Sequence, residues 1–366
     1  MTPKNSAIVS FAFPLALLCM VSTPAPAVAQ SCVLTRLDSP VLNAFEDEYN
    51  AADLKWQVGF GWRYGYSHRH FVGTDEQEER REENSQVVNN VNLADLTLRY
   101  NYSPRLSFTL GIPYLTASRD GALRDANRHV VRRYERSSTS GLGDVTLVGK
   151  WLAFDPTTHR DSNFSVGFGV KLPTGDYKQK EIQIALVNGV EVTTEGIADY
   201  SVQPGDGGYG IILELGGYKV LNSTGSLAGY ASATYIFTPE TTNGVKRPGA
   251  AIGEEEVSVT DQYVGRLGIQ VGPGSWNGWS AGIGGRIEGI PPHDAFGSSY
   301  GRRRPGYMVS VEPSISWSKG VNSVSLAVPY AIERNRQRSV SDHIRGTHGD
   351  AAFPDYVILA GYTRRF

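Results

Sequence analysis

A chain of 366 residues with 35 Lys and Arg against 37 Asp and Glu carries a formal charge of −2. That balance argues against a nucleic-acid partner, because phosphate binding requires a basic surplus on one face. Forty-one Gly and nineteen Tyr accompany only three Met and a negative mean hydropathy, so the apolar residues are too dispersed for a core of helices.

The N-terminus carries an export pattern. Lys4 supplies a short basic region, residues 8–21 form an apolar run broken by Pro14, and Ala27-Val28-Ala29 has the small-x-small form cut by signal peptidase. The run is shorter than the roughly 20 apolar residues that a membrane-crossing helix needs. Residues 1–29 are therefore expected to be a cleavable signal peptide. Cys19 leaves with it, and the remaining Cys32 has no partner for an internal disulfide. Residues 30–55 show no strand pattern. Ser39-Pro40 offers a helix start, with Val41, Leu42, Phe45 and Tyr49 on one face. This segment is expected to be a periplasmic tail or a plug inside the strand-rich remainder of the chain.

From residue 56 the pattern is period two. Trp56, Val58, Phe60, Trp62, Tyr64 and Tyr66 alternate with Gln57, Gly59, Gly61, Arg63, Gly65 and Ser67. In water such a strand exposes a face crowded with aromatics. In a bilayer that face meets lipid, and its aromatic ends sit at the headgroups. Eleven further segments read the same way: 93–102, 106–116, 144–152, 164–172, 209–220, 227–237, 263–271, 279–289, 307–317, 324–333 and 356–366. Short connections such as 103–105, 221–225 and 319–322 alternate with long polar ones at 68–92, 117–143, 173–208, 238–262, 290–306 and 334–355. Membrane barrels place short turns in the periplasm and long loops outside. The fold class expected is all-β: a transmembrane antiparallel β-barrel of about 12 strands over residues 56–366, in a bacterial outer membrane.

The inward face, by the same parity, holds Arg63, Arg99, Lys150, Lys171, Arg266 and Arg286 with Asp95, Asp144, Glu214, Glu288, Glu312 and Glu333. The two signs balance, so these side chains are expected to line the lumen and to pair across it, because an unpaired charge away from bulk water is costly. Two outcomes are open: a pathway for solutes, or an ionic scaffold that closes the lumen of a structural or surface-interaction barrel. The basic runs at 124–136 and Arg302-Arg303-Arg304 are solvated loop surface or contacts for anionic lipopolysaccharide. Enzyme signatures are weak. The Gly-x-Ser-x-Gly spacing occurs at Gly278–Gly282 and Gly297–Gly301 without a strand-to-helix turn around it, and neither His68/His70 nor His343/His348 has a carboxylate or Cys at metal-site spacing, so neither catalysis nor a cofactor is expected.

The chain stops on Phe366, preceded on one strand face by Tyr356, Ile358, Ala360 and Tyr362. This ending resembles the signal read by the bacterial barrel-assembly machinery. Four further stretches occur in order: Leu110-Gly111-Ile112-Pro113-Tyr114, Gly141-Leu142-Gly143-Asp144, Lys171-Leu172-Pro173-Thr174-Gly175-Asp176 and Gln203-Pro204-Gly205-Asp206. Together they resemble the outer-membrane transporter-like family of the "MetA-pathway of phenol degradation". The resemblance implies a barrel that passes small organic solutes, often hydrophobic or aromatic. The motifs themselves read as punctuation at strand ends.

Overall fold

The computed structural model describes residues 54–127, 129–247 and 249–366. The expected signal peptide (1–29) lies outside the described residues, as does the 30–55 segment apart from Leu54 and Lys55.

Strands β1 (Trp56–Val72), β2 (Asp75–Glu76), β3 (Val88–Asn101), β4 (Leu106–Arg124), β5 (Val130–Leu142), β6 (Thr146–Leu152) and β7 (Ser162–Lys171) form the first half. A hairpin of β8 (Lys180–Val187) and β9 (Val190–Ile197) precedes β10 (Gly210–Val220) and β11 (Leu227–Phe237). A second pair, β12 (Thr242–Lys246) and β13 (Glu256–Ser258), precedes β14 (Gln262–Val271), β15 (Trp279–Ile290), β16 (Gly306–Lys319), β17 (Asn322–Ala327), β18 (Tyr330–Arg336) and β19 (Ala351–Arg365). Two short helices, α1 (Glu79–Glu82) and α2 (Val340–Arg345), lie in the long loops.

Each stave pairs antiparallel with the next, and β19 returns to β1 through pairs such as Phe60↔Tyr362 and Trp62↔Ala360. Counting β5 with β6 and β17 with β18 as single broken staves gives a closed barrel of twelve. Closure removes the free edges of the membrane-spanning wall, so its strands pair with each other without water. Phe60, Phe168, Leu267 and Ile283 stand more than half exposed on the outer face. That exposure is costly in water and favourable in lipid. Trp56, Trp151, Trp279 and Phe366 mark the short-turn rim; Tyr66, Tyr114, Tyr209 and Tyr330 mark the opposite one. Arg364, on the outer face at the end of the last stave, stacks over Phe366 with its guanidinium 5.4 Å from the ring centre.

The wall extends further than the period-two pattern. β1, β3 and β4 run past residues 67, 93 and 116 into segments expected to be loop, and β5, β8, β9, β12 and β13 lie wholly inside them. Beyond the bilayer both faces of a strand are wet or loop-covered. Hydrogen bonds continue there while hydrophobic alternation stops.

Two staves are broken for identifiable reasons. β6 follows β5 after the Gly143–Val145 step, and Pro329, without an N–H, separates β17 from β18. Just past Pro329 a bulge pairs Val309 with Glu333 but Ser310 with Ala331. The slip carries Glu333 to the outer face, where it accepts a hydrogen bond from Tyr307 Oη at 2.6 Å. Glu333 is thus not a lumen residue, and the expected inward charges stand at six cations against five anions.

Candidate functional site

Charged side chains span the lumen at its waist. Arg63 on β1 donates to Glu288 on β15 at 2.7 and 3.1 Å, although three staves separate those strands around the wall. The pair is therefore a chord across the interior. Glu288 also accepts from Arg286 Nη2 at 2.8 Å, Arg286 Nη1 reaches Glu312 at 3.2 Å, and Arg266 Nε reaches Glu312 at 2.8 Å. The result is one chain, Arg63–Glu288–Arg286–Glu312–Arg266, whose inner members Arg286, Glu288 and Glu312 are buried. Tyr230 leans across this wall beneath the Arg266 guanidinium. It fits because Gly268 and Gly284 carry no side chain: a Cβ on Gly284 would lie 2.6 Å from the Tyr230 hydroxyl.

A second group sits around Lys171. This side chain, 1% exposed, pairs with Asp206 and lies 3.6 Å from Asp144. Lys150 and Glu214 face each other at 3.5 Å on the same side of the barrel. Arg99 donates to Thr109 at 3.3 Å, and Asp95 is half-buried opposite Gly61 and Pro113. The structure therefore gathers nine of the expected residues into a five-membered chain, a Lys171 cluster with Asp144, and a Lys150–Glu214 pair, while Asp95 and Arg99 share strand β3.

The four sequence motifs meet at Asp144. Its carboxylate accepts from the Gly175 N–H at 3.0 Å and the Asp206 N–H at 3.1 Å. Thr174 Oγ1 donates to the Gly143 carbonyl and accepts from the Val145 N–H, both at 2.9 Å. The Gly143 N–H reaches the Pro113 carbonyl at 2.8 Å. Gly175 and Gly205 bring two turns into backbone contact, where a Cβ on Gly205 would lie 2.5 Å from the Gly175 oxygen. The motifs form a clasp. They tie β4, the β5–β6 break and the loops after β7 and β9 into one unit, which is an architectural role.

The clasp directs the loop 198–206 into the barrel mouth. Ala198 and Val202 pack on Val91, Leu93, Leu115 and Ala117 of the wall. Nearby Asp199 pairs with Arg304 at 2.6 Å and with Arg119 at 3.5 Å. Burial raises the Asp199 pKa, but Arg119 and Arg304 outweigh it and hold the carboxyl well below the usual range. A second apolar strip, Phe71, Met308, Phe353, Val357 and Leu359, occupies another part of the inner wall. Arg303 and Arg304, read from sequence as loop surface, point inward: Arg303 is 1% exposed and bonded to Asp294 at 3.0 Å. Arg119, Asp199, Tyr230 and Arg336 escaped the sequence reading. Continuing the β4 parity three residues beyond 116 identifies Arg119; nothing local marks the others.

No family model matches the chain, and no curated protein matches it. Among solved structures, the COG4313 outer membrane channel from Pseudomonas putida F1 is similar over 87% of this chain and 98% of its own, at 13% identity and a TM-score of 0.55. The chain has the fold of an outer-membrane β-barrel. The P. putida toluene transporter TodX (TM-score 0.43, 10% identity, 90% and 93% covered) and the β domain of the Bordetella autotransporter BrkA (0.44, 15%, 84% and 100%) are also similar. Likeness at that level does not distinguish a transporter from an autotransporter domain.

Proposed function

We propose that this protein is an outer-membrane channel for small, hydrophobic or aromatic compounds, exported by its signal peptide and assembled through its C-terminal strand. The observation that carries the reading is the Arg63–Glu288 chord with its continuation to Arg266. A general porin keeps a wide aqueous lumen lined by charge free to select ions. Here the waist charges engage one another, while apolar strips such as Phe71, Met308 and Phe353 give the apolar body of a small solute a surface to follow. The motif resemblance to the phenol-degradation family and the shared fold of the COG4313 channel support it.

The test is reconstitution of the folded protein in vesicles and planar bilayers. Uptake of toluene or phenol above empty vesicles, with small ion conductance, is the expected result. Large steady conductance assigns a general porin. Absence of uptake for every compound leaves a closed structural barrel, the reading that the same ion pairs favour if they serve packing alone.

A further inference from the structure

At the extracellular end, the inward loops enclose a cavity of about 370 Å³. Arg302, Arg303 and Arg304 line it together with Arg80, Arg119, Arg336 and Arg345. The carboxylates paired with these seven arginines are Glu254, Asp294, Asp342, Asp350 and Asp199. Seven against five leaves a local surplus of two positive charges in a chain whose net charge is −2.

Most of these guanidinium groups are engaged. Arg304 makes two hydrogen bonds to Asp199, at 2.6 and 2.8 Å, and Arg302 reaches Glu254 at 2.5 Å. Arg336 differs. It is 3% exposed, its Nη2 donates to Asp342 at 2.9 Å, and its buried Nε and Nη1 have no hydrogen-bond acceptor. Arginine offers donors and accepts nothing, so the complement of this edge is an oxygen acceptor, and a positive surplus favours an anionic one. Val87, Ala351 and Ala352 lie on the same lining and supply an apolar surface beside the cationic one.

We infer that this cavity binds a small organic carboxylate, its anionic head at Arg336 and its apolar body against Val87, Ala351 and Ala352. The inference rests on the channel reading and narrows it: the solute captured at the mouth is an aromatic or short aliphatic acid. Inorganic phosphate and the phosphates of lipopolysaccharide share the oxyanion chemistry but lack the apolar body.

Titration calorimetry on the full folded protein in detergent, at moderate salt, tests this with benzoate, benzyl alcohol and inorganic phosphate. Saturable benzoate binding is expected, with benzyl alcohol weaker by about tenfold or more, the worth of a charge-assisted hydrogen bond. Arg336→Gln is expected to weaken benzoate by a similar factor. Arg345→Gln, at the more exposed rim and outside the buried pair with Asp342, serves as the second variant and is expected to weaken it severalfold. Equal affinity for acid and alcohol, phosphate competing as well as benzoate, or wild-type affinity in a folded Arg336→Gln barrel overturns the proposal. If Arg336→Gln does not fold, unchanged affinity in Arg345→Gln overturns it. Toluene uptake without benzoate binding removes this site and leaves the channel; benzoate binding without uptake of any compound removes the channel and leaves the site.

Discussion

Replacing Glu312 by Ala perturbs the waist most directly. Glu312 is 1% exposed and holds Arg266 and Arg286 on its two oxygens. Its removal takes this acceptor from Arg266 and leaves Arg286 with Glu288, which it shares with Arg63. Breaking a buried pair from one side costs about 3–5 kcal/mol, because the partner remains buried and uncompensated. For a domain of this size that lowers the unfolding midpoint by about 5–10 °C. The assay is the temperature at which the fast-migrating folded form converts to the slow form on gels. Planar-bilayer measurements should show larger conductance with a reversal potential shifted toward anion selectivity. The double variant Arg266→Met/Glu312→Leu replaces both partners with apolar groups and leaves Arg286 paired to Glu288, so its midpoint should return close to wild type. An Ala variant with unchanged midpoint and unchanged selectivity would show that the chain does not constrict the lumen.

Phe168→Arg places a charge on the outer face in the middle of β7 and should destabilise the folded barrel by about 2–4 kcal/mol, read by urea titration in lipid vesicles. Gly205→Val drives a side chain into the Gly175 backbone, so folding yield should fall with accumulation of the slow-migrating form; a normal yield would contradict the clasp. Epitope tags at Asn127, in the turn before β5, are expected to be accessible on intact cells, whereas tags at Asn222, in the short turn before β11, are not. Deletion of Phe366 should reduce the amount of assembled barrel in outer membranes without changing secretion across the inner membrane.

Alternation of apolar and polar residues determined the barrel, its twelve staves and the sides on which long and short connections lie. Lipid on one face and lumen on the other impose period two on each membrane-spanning strand separately, so the signal is local and can be read strand by strand. The same parity put Arg63, Arg266, Arg286, Glu288 and Glu312 on one face of the wall. It failed at Glu333, because a bulge next to Pro329 adds one residue to one side of a ladder and inverts every side chain beyond it, a slip that composition does not announce. Tertiary structure alone decided which inward charges pair. Arg63 and Glu288 lie 225 residues apart and meet only because closure of the barrel brings non-neighbouring staves to opposite ends of one chord. It also decided the mouth, where loops without periodicity fold inward, bury Arg303 against Ser258 and pair Arg304 with Asp199, 105 residues away. Burial there follows from loop packing over a closed wall, which no local pattern of residues encodes.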